Sequence, residues 1–365
     1  MEFIIYTNTA WDSPPRSRHQ LAYALANQKV KTTFVAANIQ GKPGLENIKV
    51  DEYLDVIIPS FPISRRIRYR TPLVNEVYQL WLFPALKKRF ENKEVYVICC
   101  DFGGYMISKY FDNTIYFASD DFINNVRLPM FMRVYTIFTQ KKLIKSSKFV
   151  LATARKLVSD FKRYNNKSFE LPLGSPDFNI NINSNEILRK KDGKIKVVLL
   201  GYIDKVKTPV NLLIKILELG NAELHLIGPI KDDILDYLHP SEKVFPWGTQ
   251  TGEVLMNTLF EMDVAIAPYY MEDSNTGRTP NKMWQYLAAG KPAVITNLPN
   301  VQHWEFPPGT VYKANTGEEF VEMIKKAYVE DSHHLIDQRI DLAKNNSWDK
   351  RADLLLDYVK VNIKN

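Results

Sequence analysis

The sequence predicts an α/β chain built as two Rossmann-like domains facing a cleft. Three observations carry this. Short β-branched and aromatic runs alternate with helical stretches from one end of the chain to the other. A polar, Asn-rich segment, SPDFNININSNEILRKKDGK, interrupts the alternation near the middle, after which it resumes. The length, 365 residues, suits two domains at ~100–200 residues each.

In chain order, Glu2 to Tyr6 is a short apolar strand, and Arg18 to Ala26 reads as the helix after it. Lys31 to Ala37 (KTTFVAA) is the next strand, rich in residues that suit a pleated surface. Further strands are expected at Val95 to Cys99, Thr114 to Phe117 and Lys148 to Ala152, with helices at Leu73 to Glu91 and Met130 to Ser146. Such alternation gives a mostly parallel sheet covered on both faces. Beyond the polar segment, Lys196 to Leu200 is a strand closed by Gly201, and Leu212 to Leu219 a helix. Glu223 to Ile227 and Asp263 to Ala267 are strands. A long helix is expected from near Pro280 to its stop at Gly290, then a strand at Pro292 to Thr296. Helical stretches at Gly317 to Tyr328 and Trp348 to Ile363 end the chain. The domains are thus placed at residues 1–178 and 195–346, with a linker at 179–194 and a terminal helix at 347–365.

Composition narrows the class. Hydrophobic residues at 45% and charged residues at 24% argue against a disordered or fibrous chain. The only cysteines, Cys99 and Cys100, are adjacent, which leaves no disulfide framework and suits a reducing compartment. MEFIIYTNTAW lacks the basic start of a signal peptide, and no stretch approaches the ~20 apolar residues of a membrane helix. A soluble, cytosolic chain is the expectation. Charge is uneven: residues 1–180 hold 26 Lys and Arg against 16 Asp and Glu, and residues 181–365 hold 22 against 25. That asymmetry points the first half at an anionic partner, whether membrane surface, phosphorylated substrate or nucleic acid. Its densest cluster is Arg65, Arg66, Arg68 and Arg70, with a solvated, partnerless face as the alternative. No nucleic-acid motif accompanies the charge, which sets nucleic acid aside.

For chemistry, the most informative stretch is Ser274 to Thr296, SNTGRTPNKMWQYLAAGKPAVIT. Gly277, Thr279 and Asn281 are small and polar, and Pro280 sits where a first helical turn tolerates a missing N–H. The free N–H groups of such a turn, at the positive end of the helix dipole, form an anion site. Arg278 and Lys282 add full charges there, Arg with a fork that fits phosphate. An ordinary strand–helix unit with a basic cap is the competing reading. In the first half, TIYFASDDF ends in Asp120 and Asp121. Carboxylates beyond the end of a parallel strand point into the crevice, where they can deprotonate a hydroxyl or stabilise an oxocarbenium-like transition state. An N-cap pair for the next helix is the alternative. The first loop, Thr7 to Arg18, adds Trp11, Asp12, Arg16 and Arg18, and Asp101, Gly103 and Gly104 follow another strand. The six His residues show no metal-ligand spacing.

These residues carry a family resemblance. PNKMWQYLAAGKPAVIT resembles the signature helix of GT-B glycosyltransferases, especially the large retaining group called glycosyltransferase family 4. VVLLGYIDKVKTPVNLL is similar to the strand–loop–helix that opens the donor domain. ELHLIGPI and VFPWGTQTGEVLMNTLFEMDVAIAPY follow in family order. FVLATARKLVSDFKRYNNKSFELPLGSPDF resembles the end of the acceptor domain, and WDSPPRSRHQLAYALA its first loop and helix. SWDKRADLLLDYV resembles the last helix, which in this fold crosses back to the first domain. The resemblance covers nearly the whole chain and points to the bacterial branch making exopolysaccharide, capsule or teichuronic-type polymers.

It implies a nucleotide-diphosphate sugar donor, of UDP or GDP type, held by the second domain with no metal and no cofactor. The diphosphate would lie against Gly277, Arg278, Thr279 and Lys282, with Lys207 or Lys205 from GYIDKVK. For Lys207 a plain surface position is the alternative. The base would lie against Phe245, Pro246, Trp247 and Gly248, with a core position the alternative for Trp247. Asp121, with Asp120 second, would face the donor sugar, and Arg18 would touch donor phosphates or acceptor. Many family members carry two Glu, one on the signature helix and one eight positions earlier. Here those positions are Gln285 and Gly277, so only a neutral carbonyl meets a ribose hydroxyl. The activity implied is transfer of a sugar to a saccharide acceptor in cell-surface polysaccharide synthesis. A lipid-linked acceptor at the inner membrane face suits Arg65, Arg66, Arg68 and Arg70 beside Phe61, Ile63, Ile67 and Tyr69, and gives peripheral attachment. Competing readings are a sugar-nucleotide epimerase and a catalytically silent nucleotide-binding scaffold, the latter favoured by Gln285 and Gly277. A periplasmic binding protein is set aside by the expected lack of a signal peptide.

Overall fold

The computed structural model describes residues 1–71, 73–119, 129–176, 193–238, 242–272, 275 and 278–363. The chain divides into two compact units, one of Met1–Leu173 with Trp348–Asn365, the other of Gly174–Ser347. Of the linker expected at 179–194, residues 179–192 lie outside the described residues.

The first unit begins with β1 (Glu2–Tyr6), α1 (Ser17–Asn27), β2 (Thr32–Val35), β3 (Ile39–Gln40), β4 (Gly44–Lys49) and β5 (Leu54–Phe61). It continues through α2 (Arg65–Arg70), α3 (Val74–Arg89), β6 (Val95–Cys99), β7 (Thr114–Ala118), α4 (Met130–Ser146), β8 (Phe149–Ala152), α5 (Arg155–Lys162) and β9 (Ser168–Glu170). The strands run β3-β5-β2-β1-β6-β7-β8-β9, parallel except for β4, which pairs antiparallel with β5. Buried alternation along β1 explains the layering. Phe3 and Ile5 face Leu21 and Leu25 of α1, while Ile4 and Tyr6 face Leu82 and Phe83 of α3. Burying each such side chain contributes about 1.5–3 kcal/mol.

The second unit holds β10 (Ile195–Leu200), α6 (Val210–Leu217), β11 (Ala222–Ile227), α7 (Asp232–Tyr237), β12 (Val244–Gly248) and α8 (Gly252–Phe260). β13 (Val264–Ala267), α9 (Lys282–Ala288), β14 (Ala293–Thr296), β15 (Val311–Ala314), α10 (Gly317–Glu330) and α11 (His333–Asn345) complete it. Its six strands run β12-β11-β10-β13-β14-β15, and every described pairing among them is parallel. Val197 and Leu199 serve one core layer, Val198 and Leu200 the other. Arg339 of α11 is fully buried; it pairs with Asp331 at 2.5 Å and donates to the carbonyls of Gly290 (3.0 Å) and Gly309 (2.9 and 2.7 Å).

The last helix, α12 (Trp348–Ile363), returns to the first unit. Trp348, Ala352, Leu355 and Val359, at helical spacing, complete the layer under Phe3 and Ile5. Gln28 of α1 donates to the Asp349 carbonyl and the Asp353 carboxylate, both at 2.9 Å, and Tyr358 stacks on Phe169 with centroids 4.9 Å apart.

Candidate functional site

In open parallel sheets, ligands bind beyond the strands' C-terminal ends, where the strand order reverses. In the second unit that point lies between β10 and β13. β10 leaves the sheet at Gly201 (φ 134°) and β11 at Gly228 (φ 127°), a region open to glycine and strained for other residues. The Gly201 N–H donates to Ile227 and the Gly228 N–H to Gly248, both at 2.7 Å. A Cβ on Gly228 would lie 2.1 Å from the Gly201 carbonyl oxygen, so the two loops touch backbone to backbone.

Lys282 lies directly over Gly201: a Cβ there would sit 1.1 Å from its Nζ. Tyr286, one turn along α9, fixes that position. Its hydroxyl accepts from the Leu200 N–H and donates to the Ile266 carbonyl, both at 3.0 Å, bridging the splayed ends of β10 and β13. Burial, then the nearby charges of Lys207 and Arg278, bring the Lys282 pKa down to about 8. Among the described residues no ion pair joins a carboxylate to the Lys282, Lys207 or Arg278 side chain, and the charges of the latter two both act on the Lys282 ammonium.

The loop after β10 is shaped by Asp204, whose carboxylate accepts from the Val206 (3.0 Å) and Lys207 (2.8 Å) N–H groups. The Lys207 side chain is exposed, with its ammonium 5.0 Å from the Tyr202 ring centroid. Lys205 is engaged elsewhere: it pairs with Asp233 at 2.9 Å, which raises its pKa, and lies over Tyr237. Arg278 is exposed over Tyr269, 5.6 Å from the ring centroid. Thr279 is buried, its hydroxyl accepting from Asn300 at 2.6 Å, so it is tied to structure. Gln285 is half-buried one turn beyond Lys282. Gly277 lies outside the described residues.

The long helix expected from Pro280 is two turns, Lys282–Ala288. Its start is delayed because the preceding backbone is held otherwise: the Arg278 N–H donates to Asn275 and Thr279 is bound to Asn300. Gly290, at φ 70°, lies just beyond its end.

Trp247 is 46% exposed on edge strand β12, not part of the core. Its indole N–H donates to His225 Nδ1 at 3.0 Å, which assigns the imidazole proton to Nε2. Burial holds the His225 pKa down at about 4, and the neutral ring stacks on Phe245 at 4.8 Å. An exposed indole thus stands beside Gly248 on a rigid aromatic base.

In the first unit the reversal falls between β1 and β6. Half-buried Arg18 donates to Thr7 at 3.3 Å just beyond β1. Beyond β6, buried Asp101 accepts from the Gly103 N–H (2.9 Å) and the Tyr69 hydroxyl; burial raises its pKa against the opposing pull of Arg68. Gly104 has no room for a Cβ, which would lie 2.4 Å from the Tyr6 ring. Asp120 and Asp121 lie outside the described residues.

Arg65, Arg66 and Arg70 are exposed on α2, but Arg68 departs from the expected basic surface. It is buried, its guanidinium 4.0 and 4.6 Å from the Tyr78 and Tyr69 ring centroids, and it donates to Asn75 at 2.6 Å. A six-residue helix must turn one side inward, and stacking on two aromatic rings accommodates the cation there. Among the described residues, no helix is long and apolar enough to cross a membrane and no cluster of three metal-ligating side chains occurs.

Sequence reasoning passed over Gly228 and Tyr286. The first had a signal: ELHLIG repeats the strand–glycine ending of KVVLLG. Tyr286 had none, being one apolar residue in MWQYLAA.

No protein-family model matches the chain, and no curated protein matches it in sequence. Solved structures do match in fold. A UDP-forming α,α-trehalose-phosphate synthase from Burkholderia xenovorans superposes with a TM-score of 0.71 at 11% identity, covering 99% of both chains. The catalytic domain of starch synthase IV from Arabidopsis thaliana, bound to ADP and acarbose, gives 0.69 at 11% identity over 100% of this chain and 99% of that one. The lipopolysaccharide outer core galactosyltransferase WaaB gives 0.64 at 12% identity over 98% and 99%. At these identities the likeness fixes the fold: Rossmann-like sheets of the GT-B fold class, over nearly the whole chain.

Proposed function

We propose that the chain is a glycosyltransferase that moves a sugar from a nucleotide-diphosphate donor to a saccharide acceptor. The observation that carries this is the Lys282 ammonium, seated over Gly201 with Lys207 and Arg278 acting on it. Three cations at a strand-order reversal, none ion-paired among the described residues, suit a diphosphate. In the reaction the glycosidic bond to the β-phosphate breaks, and these cations take up the charge left on the departing diphosphate. Trp247, beside Gly248, supplies an aromatic face for the base, and Gln285 a carbonyl for a ribose hydroxyl. Lys205, held by Asp233, is the weaker candidate of its pair. The family resemblance gives the catalytic role to Asp121, with Asp120 second. The reading asks for no metal or cofactor.

The neighbours carry adenosine nucleotide in one case and form UDP in another, so a nucleotide panel comes before any sugar panel. A lipid-linked acceptor of surface-polysaccharide synthesis, met at the inner membrane face, goes with the basic first half and the outer-core galactosyltransferase neighbour. Retention of anomeric configuration is what the family resemblance implies, and the product anomer tests it. Gln285, standing where many relatives carry Glu, favours a second reading: a donor-binding scaffold without turnover.

The test is calorimetric titration of UDP, GDP, ADP and CDP into the protein and its Lys282→Ala and Arg278→Ala variants. Binding of one nucleotide, lost in both variants, supports the donor site. Binding without transfer or hydrolysis of any matching nucleotide sugar selects the scaffold. No binding by any of the four overturns the assignment.

A further inference from the structure

Two neighbouring helices of the first unit carry large apolar side chains on their outer faces as well as in the core. Along α4, Thr136, Thr139 and Gln140 are buried, while Met130, Phe131, Val134 and Phe138 are each more than half exposed. Along α3, Asn75 and Gln79 are buried among the apolar Tyr78, Leu82, Phe83 and Leu86, yet Leu73, just before the helix, Val77 and Leu80 are more than half exposed. Each of the three inward amides makes a hydrogen bond into the fold. Asn75 donates to the Gly103 carbonyl (2.8 Å), Gln79 accepts from the Met106 N–H (2.9 Å), and Gln140 donates to the Tyr116 hydroxyl (2.9 Å). The helices are tied together where Tyr135 of α4 donates to Glu76 of α3 at 2.6 Å. The outward apolar groups have no such account, and patches of this kind mark interaction surfaces.

Charge identifies the occupant. On α4, Phe131, Val134 and Phe138 follow i, i+3, i+7 spacing, and Lys141, Lys142 and Lys145 continue the same face. Lys142 Nζ lies 5.6 Å from the Phe138 ring centroid, so cation and apolar face adjoin. Residues 129–148 hold five Lys and Arg and no Asp or Glu. Arg65, Arg66 and Arg70, exposed on α2 beside α3, extend the basic rim. A second copy of the chain would set one basic rim against another. A bilayer with anionic headgroups takes both features at once: apolar side chains reach the acyl boundary while lysines and arginines meet phosphate.

The geometry points to this α3–α4 face as a membrane-docking surface that inserts into anionic lipid. It deepens the membrane-side reading proposed above and moves the insertion from the arginine helix to Phe131, Val134 and Phe138. It does not depend on donor binding.

The experiment is co-sedimentation of the full chain with phosphatidylcholine vesicles, with and without phosphatidylglycerol, across a salt series. Wild type should bind the anionic vesicles and bind neutral ones weakly. The double variant Phe131→Ser/Phe138→Ser should lose about tenfold or more of its partition at every salt concentration. Lys142→Gln/Lys145→Gln should lose about tenfold or more at low salt only, because screening removes that part. Melting temperature of each variant, and its calorimetric titration with whichever nucleotide the wild type binds, establish that folding and the second unit are intact. No binding of wild type to anionic vesicles overturns the inference, as does full binding by the phenylalanine variant. A dimer in light scattering that this variant dissolves would give the face to a second copy and also overturn it. Vesicle binding without binding of UDP, GDP, ADP or CDP would sink the donor-site reading and leave this one standing.

Discussion

Lys282 makes nucleotide binding a proton-linked event. Its ammonium titrates at about 8 in the free protein because burial and two neighbouring cations disfavour its charge. A bound diphosphate reverses that environment and returns the pKa to the ordinary lysine range, ~10.4. The free protein is then the form that loses the proton as pH rises through 8, and binding must restore it. Affinity therefore falls with pH, by about tenfold (~1.4 kcal/mol) between pH 7 and pH 9. Proton uptake per nucleotide rises from roughly 0.1 at pH 7 to 0.5 at pH 8 and 0.9 at pH 9 by the same titration. UDP contributes little, since a phosphate's second pKa is ~6. Calorimetry in two buffers of different ionisation enthalpy reads the uptake directly. Lys282→Met should bind more weakly and lose the pH dependence. Equal affinity at pH 7 and 9, or a pH dependence that survives in Lys282→Met, would refute the reasoning.

Three further outcomes are expected. Gly228→Ala forces a Cβ to 2.1 Å from the Gly201 oxygen at φ 127°, whereas Gly248→Ala, at φ 68°, meets nothing within 4 Å. The first should cost about 3 kcal/mol or more and the second about 1 kcal/mol, and equal melting temperatures would contradict the close approach. Arg339→Met leaves Asp331 unpaired and frees the Gly290 and Gly309 carbonyls, so urea unfolding should show a loss of about 3–5 kcal/mol. Trp247→Ala should weaken nucleotide binding by about 1–2 kcal/mol with little change in melting temperature, and Trp247→Phe should recover most of it; unchanged affinity in Trp247→Ala would remove the indole from the site.

What the sequence made legible follows from burial. EFIIY, VYVIC, FVLA and VVLL stand out because strands covered on both faces are continuous apolar runs. β5 did not stand out, since Pro59 within it and Pro62 just after read as breakers; the chain places Pro59 opposite the antiparallel edge strand β4. β4 itself, GLENIK, is largely exposed and too polar to declare itself. At the candidate site the cations were visible as residues, but not their convergence. Lys282 reaches Gly201 only because Tyr286 bridges two strands far away in sequence. In RRIRYR all four arginines look alike, and so short a helix has no periodicity to reveal that Arg68 alone turns inward. The exposed apolar residues of α3 and α4 were hidden for a related reason: both helices carry apolar residues inside and out, so the pattern does not report which the protein leaves uncovered.

The return of α12 has a consequence for biosynthesis. The second unit is contiguous and has all its strands before Trp348 is translated. The first unit, begun earliest, is finished last, because the layer under Phe3 and Ile5 lacks Ala352, Leu355 and Val359 until then. Throughout translation the nascent first unit carries that open apolar face, the kind of surface chaperones hold. A message truncated after Ser347 would yield a complete second unit joined to a first that stays a chaperone client.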